Sequence, residues 1–338
     1  MNFLIGMLLS VLGGGIQGAF VYPQKLTKGW HWENSWMIFT LTCCLLFPLA
    51  LAFATTADLL DLYRSVEPRT LWLVFLSGMA WGVGVILFGL GADFLGMALG
   101  IAIITALNAA FGTLLPLILL PTRSLGGMSV SLLAVGLSVL VAGVVQIARA
   151  GKIRDGEQHG KNSARKVPFR VGVAVCLIAA VFCPATNFAV FFGQPIAEAA
   201  AAAGVSVCNV GFAQLLPYFL GGFIVNTAYC VYLFIRNGSL HCYAAPSCGR
   251  NILLSIGMSV LFITGMVLYT IATTIYIPQV GTVLGWPLFM AATILAGIVL
   301  GLMSGEWKGV SRPAFRALYG GIFLLISAIV VVGFSNLF

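Results

Sequence analysis

Read for its hydrophobic pattern alone, the chain is a succession of long apolar runs separated by short polar stretches. Ten runs reach the roughly 20 residues that a helix needs to cross a hydrocarbon core. They are 3–22, 35–54, 71–91, 95–120, 128–148, 171–193, 207–235, 252–275, 281–303 and 317–337. Apolar residues are continuous within them, which argues for helices and against the alternation of an outer-membrane barrel. The first run lacks a charged leader and a small-residue cleavage site, so it is expected to stay as a span. The longest connection, of roughly 20 residues, is too short for an extramembrane catalytic or receptor domain. The pattern predicts an all-α membrane protein with ten transmembrane helices.

Composition agrees. Sixty per cent of the 338 residues are hydrophobic and 8% are charged, against about 25% charged in a soluble domain. Such a chain cannot cover itself with polar groups, so the lipid bilayer is its expected solvent.

The net charge of +8 is informative through its placement, not as a sign of nucleic-acid binding. Odd-numbered connections hold Lys25 and Lys28; Arg149, Lys152, Arg154, Lys161, Arg165, Lys166 and Arg170; Arg236 and Arg250; and Lys308, Arg312 and Arg316. That is 14 of 17 basic residues, with only Arg64, Arg69 and Arg123 in the even connections. Basic residues stay cytoplasmic, which predicts cytoplasmic odd connections and both termini on the opposite, extracytoplasmic side.

The basic stretch Arg149 to Arg170 divides the spans five and five. It is hydrophilic and proline-bounded, the character of a linker. The expected organisation is a first bundle (1–150), a cytoplasmic linker (151–170) and a second bundle (171–338). An odd number of spans per half makes the halves inverted. A shift of about 185 residues superposes Gly96 on Gly281, Gly100 on Gly285 and Gly136 on Gly321. It also sets "GMALG" on "GTVLG", the small-xxx-small spacing that lets helix backbones approach, and "GLSVLVAGVV" near "GIFLLISAIVVVG".

Candidate chemistry is sparse. No Asp, Glu, Lys, Arg or His falls near the middle of a run, which disfavours an intramembrane enzyme. Six of eight cysteines (43, 44, 176, 183, 208 and 230) lie in apolar runs, and "HCYAAPSC" offers His241, Cys242 and Cys248 without a fourth ligand. Neither metal nor cofactor is expected. What remains at depth is neutral: Gln17, Asn108, Asn187, Gln214, Tyr218, Asn226, Tyr269, Thr270, Thr273 and Thr274. Each would ordinarily serve as a helix–helix hydrogen bond. Grouped near the expected breaks at Pro184 and Pro217, they suit a neutral hydroxyl-rich solute held by amides and ring faces. Gln17, Asn187, Gln214, Tyr218 and Tyr269 are the candidate contacts, with Trp81 as a stacking face.

Among ionisable residues, Asp93 stands alone between Leu71 and Thr122. It is expected at a cytoplasmic turn, opposite Pro278 under the repeat, capping the fourth span. Glu33 sits in "YPQKLTKGWHWENSW", where Trp30, Trp32 and Trp36 have the character of interfacial anchors. Asp93 and Glu33 are the candidates for ion coupling or gating.

Several strings together resemble the L-rhamnose–proton symporter family of the drug/metabolite transporter superfamily. They are "YPQKLTKGWHWENSW", "GMAWGVG", "FLGMALGIAI", "EAAAAAGV", "LLSIG" and "GEWKGVSRP", spread in order over nearly the whole chain. The resemblance implies ten helices, an inner-membrane location and import of a deoxy-sugar such as L-rhamnose with a proton. No obligatory protein partner is expected. The third and eighth spans, with "VGVILFG" and "SVLFITGMVLY", are more apolar than the family's amide- and aromatic-bearing pattern. An exporter of drugs or metabolites on the same fold is the alternative expectation.

Overall fold

A computed structural model describes residues 2–95, 97–119, 127–159, 167–276, 281–305 and 307–334. Every regular element among them is helical. The first run forms α1 (Asn2–Gly18), followed by the short α2 (Tyr22–Lys25). The second forms α3 (Trp32–Thr40), a π-helical turn at Leu41–Leu46 and α4 (Phe47–Thr55). After α5 (Leu59–Ser65) come α6 (Pro68–Leu95), α7 (Met97–Leu119) and α8 (Gly127–His159). The sixth run is divided into α9 (Phe169–Phe182), α10 (Ala185–Phe192) and α11 (Gln194–Ala202). The last four runs are α12 (Val210–Asn237), α13 (Cys248–Ile271) continued by a π-helical turn at Ala272–Tyr276, α14 (Gly281–Met303) and α15 (Arg312–Phe334).

Nine helical segments among the described residues are long and apolar enough to cross a membrane. They account for nine of the ten predicted runs. The remaining run, 95–120, is α7, whose described apolar stretch is the shorter Ile103–Leu114. The chain is a multi-pass membrane protein.

Prolines shape the spans differently from the sequence expectation. Pro184 does break its helix, between Phe182 and Ala185. Pro217 does not: α12 runs through it from Val210 to Asn237. A proline removes the N–H that would bond the carbonyl four residues earlier. Here that carbonyl belongs to Ala213, and the Tyr63 hydroxyl donates to it at 2.8 Å. Burial pushes the Tyr63 hydroxyl well above the ordinary phenol range, so it stays a donor.

Several connections between the predicted runs touch one another. Connections one and seven are stitched by Trp30 Nε1 donating to the Cys242 carbonyl (3.0 Å) and Asn251 Nδ2 to the Lys28 carbonyl (2.9 Å). Connections five and nine meet where the Ser311 N–H donates to Glu157 (2.9 Å) and Arg154 lies 5.1 Å from the Trp307 ring. In addition, α5 of the second connection packs against α11 and the start of α12. Several of the tightest helix pairings join the two halves of the chain: α8 with α15, α6 with α12 and α9, and α1 with α13 and α14.

Candidate functional site

Helix crossings without side-chain bulk bring the polar residues together. At the α6–α12 crossing a Cβ on Gly78 would stand 1.8 Å from the Tyr218 carbonyl, and one on Gly221 2.1 Å from that of Phe75. Only glycine permits backbones this close. The crossing sets Trp81 beside Tyr218, ring centroids 5.6 Å apart. The Tyr218 hydroxyl meets Thr186 Oγ1 at 2.8 Å.

Thr186 and Asn187 lie in the first turn of α10, just after the Pro184 break. Asn187 is fully buried, and its Nδ2 donates to the carbonyls of Gly112 (2.6 Å) and Thr282 (2.9 Å). Its Oδ1 accepts from the Tyr269 hydroxyl. Asn187 therefore joins α7, α10, α13 and α14, and both its amide donors are engaged. One turn on, the Val190 carbonyl accepts from Gln214 Nε2 (3.0 Å), and Thr274 Oγ1 donates to Gln214 Oε1 (3.3 Å). Trp81, Asn187, Gln214, Tyr218 and Tyr269 thus form one connected cluster on α6, α10, α12 and α13.

Gln17 borders this cluster on α1. Its Cβ lies 2.9 Å from where a side chain on Gly265, one turn before Tyr269, would begin. Its Oε1 is buried without a hydrogen-bond partner, as is Asn108 Oδ1 on α7. Trp81 is not an open stacking face: it is 6% exposed and covered by Tyr218, Phe262 and Gly222. The sequence pattern did not single out Phe262, Trp286 and Phe289, whose rings pack against Trp81 or Tyr269. They resemble any other aromatic residue of an apolar run, so no local signal marked them.

The two gate candidates lie elsewhere. Asp93 is helical backbone near the end of α6, and α7 begins at Met97, so it is neither in a turn nor the cap of the fourth span. Its side chain, like Pro278, lies outside the described residues. Glu33 is not an exposed interfacial charge. It is 2% exposed and the one buried carboxylate among the described residues. Asn237 Nδ2 (2.9 Å) and Ser239 Oγ (2.6 Å) both donate to its Oε1. Beside it Asn34 donates to the Ser239 carbonyl (2.9 Å) and accepts from the His31 N–H (3.0 Å). The Tyr243 hydroxyl, pushed up to about 12 by burial, donates to the Asn34 carbonyl. Trp36 likewise turns inward instead of anchoring at an interface. It is 4% exposed, and its Nε1 donates to Asn226 Oδ1 at 2.9 Å. Cys208, expected within an apolar run, is exposed in the turn before α12. No metal-binding group of three or more ligands occurs among the described residues.

The fold and this cluster define a multi-pass α-helical membrane protein whose largely apolar described interior holds a neutral polar cluster. The chain belongs to the L-rhamnose-proton symport protein family, which matches residues 1–336. It is 28% identical to the L-rhamnose-proton symporter of Cronobacter sakazakii over 340 residues, covering 97% of this chain and 96% of that protein. It is also 28% identical to the L-rhamnose-proton symporter of Yersinia pestis, covering 98% and 97% of the two chains. A solved structure superposes over 98% of this chain and 95% of its own length with a TM-score of 0.57 at 17% identity, a likeness of fold alone.

Proposed function

We propose that this protein imports L-rhamnose or a related neutral deoxy-sugar together with a proton, by alternating access across a bacterial inner membrane. The observation that carries this is the convergence of five neutral polar and aromatic side chains at membrane depth, in a chain of the L-rhamnose-proton symport family. Amides, hydroxyls and ring faces match a sugar's hydroxyls and apolar ring face, and a charged solute would call for a counter-charge.

The contacts divide by their spare capacity. Gln17 has a buried acceptor without a partner, as does Asn108, and both suit a sugar hydroxyl as donor. Asn187, with both amide donors engaged, must release a protein partner to donate to a sugar hydroxyl, whereas Gln214, Tyr218 and Tyr269 each retain a further donor or acceptor beside the bonds they make. Glu33, which accepts from the neutral donors Asn237 and Ser239, is the proton-coupling candidate, and Asp93 the second.

The halves 1–150 and 171–338, joined by the linker 151–170, are in this proposal inverted repeats of the drug/metabolite transporter fold. Ten helices cross the membrane, with α7 as the tenth, and both termini are periplasmic. Two contacts support the repeat. A Cβ on Gly136 would meet Val332 at 2.5 Å, and one on Gly321 would meet Ile147 at 2.6 Å. These pairs exchange under the same 185-residue shift read from the sequence. Because the halves interlock, the moving groups mix helices of both.

Uptake of radiolabelled L-rhamnose into proteoliposomes under an inward proton gradient tests the proposal. Accumulation should collapse with a protonophore and fall at least about tenfold in Gln214→Ala and Gln17→Ala, the loss of roughly one good hydrogen bond to substrate. Unchanged kinetics in both variants would remove the site, and absence of sugar uptake would remove the function.

A further inference from the structure

We infer a binding site for one anionic phospholipid in the groove between α7 and α8. The groove has a volume of about 460 Å³ and is lined by Ile103, Ala106 and Leu107 of α7 and by Val145, Ala148, Arg149 and Lys152 of α8. Each helix presents one face, since positions three and four apart lie above one another. Along most of its length the lining is apolar, and alanines on both walls leave the space that larger side chains would fill. Val145 is 43% exposed, so the groove opens outward from the helical body. An acyl chain is the apolar occupant available there.

The charges lie at one end. About 20 residues of helix span the hydrocarbon, and Arg149 lies 22 residues after Gly127, where α8 begins. Arg149 and Lys152 therefore stand at headgroup level above an apolar cleft. Over Arg149 to Asp155, α8 carries three cations and one acid. Arg154 lies over Trp307 instead of on the groove. A phosphate held by Arg149 and Lys152, with its acyl chain between α7 and α8, satisfies both parts of the surface. Basic pockets between membrane helices take anionic headgroups for this reason. The proposal is independent of which solute is transported.

Native mass spectrometry of the purified full-length protein tests it, with dioleoyl phosphatidylglycerol or dioleoyl phosphatidylcholine added in a neutral detergent. The parent should retain one phosphatidylglycerol in preference to phosphatidylcholine. Arg149→Gln with Lys152→Gln should weaken that retention about 30-fold, as expected for two cations near a membrane surface. Ala148→Phe should weaken it by filling the cleft. Lys308→Gln with Arg312→Gln, cations outside the groove, should leave it unchanged. Each variant is first required to match the parent's unfolding midpoint in phosphatidylcholine; if Ala148→Phe does not, Val145→Phe takes its place. Equal retention of the two lipids, an unaffected Arg149/Lys152 variant, an unaffected cleft-filling variant, or an equal loss in the Lys308/Arg312 variant would each overturn the site.

Discussion

Asn187 and Asn34 apply the same amide chemistry in two different surroundings. Each donates to backbone carbonyls and accepts through its side-chain oxygen. Asn187 does so at the middle of a 33-residue apolar segment, Arg170–Ala202, where no water replaces a lost partner. Asn34 does so at the end of a span, beside Glu33 and in the junction of two polar connections. The deep cluster joins four helices through neutral side chains. The edge junction holds a carboxylate and fastens two loops together. The polar groups of the deep cluster are thus neutral, and the described buried carboxylate sits where its charge is less costly.

This contrast can be sharpened by substitution. The largest effect is expected from Asn187→Leu, which keeps the volume and removes three hydrogen bonds. At roughly 0.6 kcal/mol for a membrane hydrogen bond, the loss is about 2 kcal/mol of stability, read as a lower unfolding midpoint in detergent. A midpoint equal to the parent's would mean that the deep cluster fastens nothing.

Glu33→Gln is gentler, because the amide oxygen still accepts from Asn237 and Ser239. Only the charge assistance disappears, about 1 kcal/mol. If Glu33 couples the proton, this variant loses gradient-driven accumulation while sugar exchange persists. Retained accumulation would transfer the role to Asp93.

The smallest effect is expected from Tyr63→Phe, about 0.6 kcal/mol by the same measure. It leaves the Ala213 carbonyl without its donor at the Pro217 gap, and amide hydrogen exchange should rise in the first turns of α12. No change in exchange there would show that the carbonyl finds another partner.

Much was legible in the sequence because it depends on local properties. Continuous hydrophobicity marks a span wherever it packs, so nine predicted runs reappear as candidate spans and the tenth as α7. The scarcity of charge at depth fixed the neutral character of the candidate site, and the Pro184 break was visible for the same local reason.

Other features depended on partners far away in the chain. Pro217 leaves α12 whole because Tyr63, 150 residues before Ala213, takes the orphan Ala213 carbonyl. Trp36 points inward because Asn226, 190 residues later, accepts its N–H. Both amide donors of Asn187 are taken, by Gly112 and Thr282, and its oxygen accepts from Tyr269, whereas Gln17 keeps an unpartnered oxygen. A polar residue in an apolar run announces only that it needs a partner. Which partner it finds, and whether capacity is left for a ligand, is set by how closely and at which residues the helices cross, and only the tertiary structure decides that.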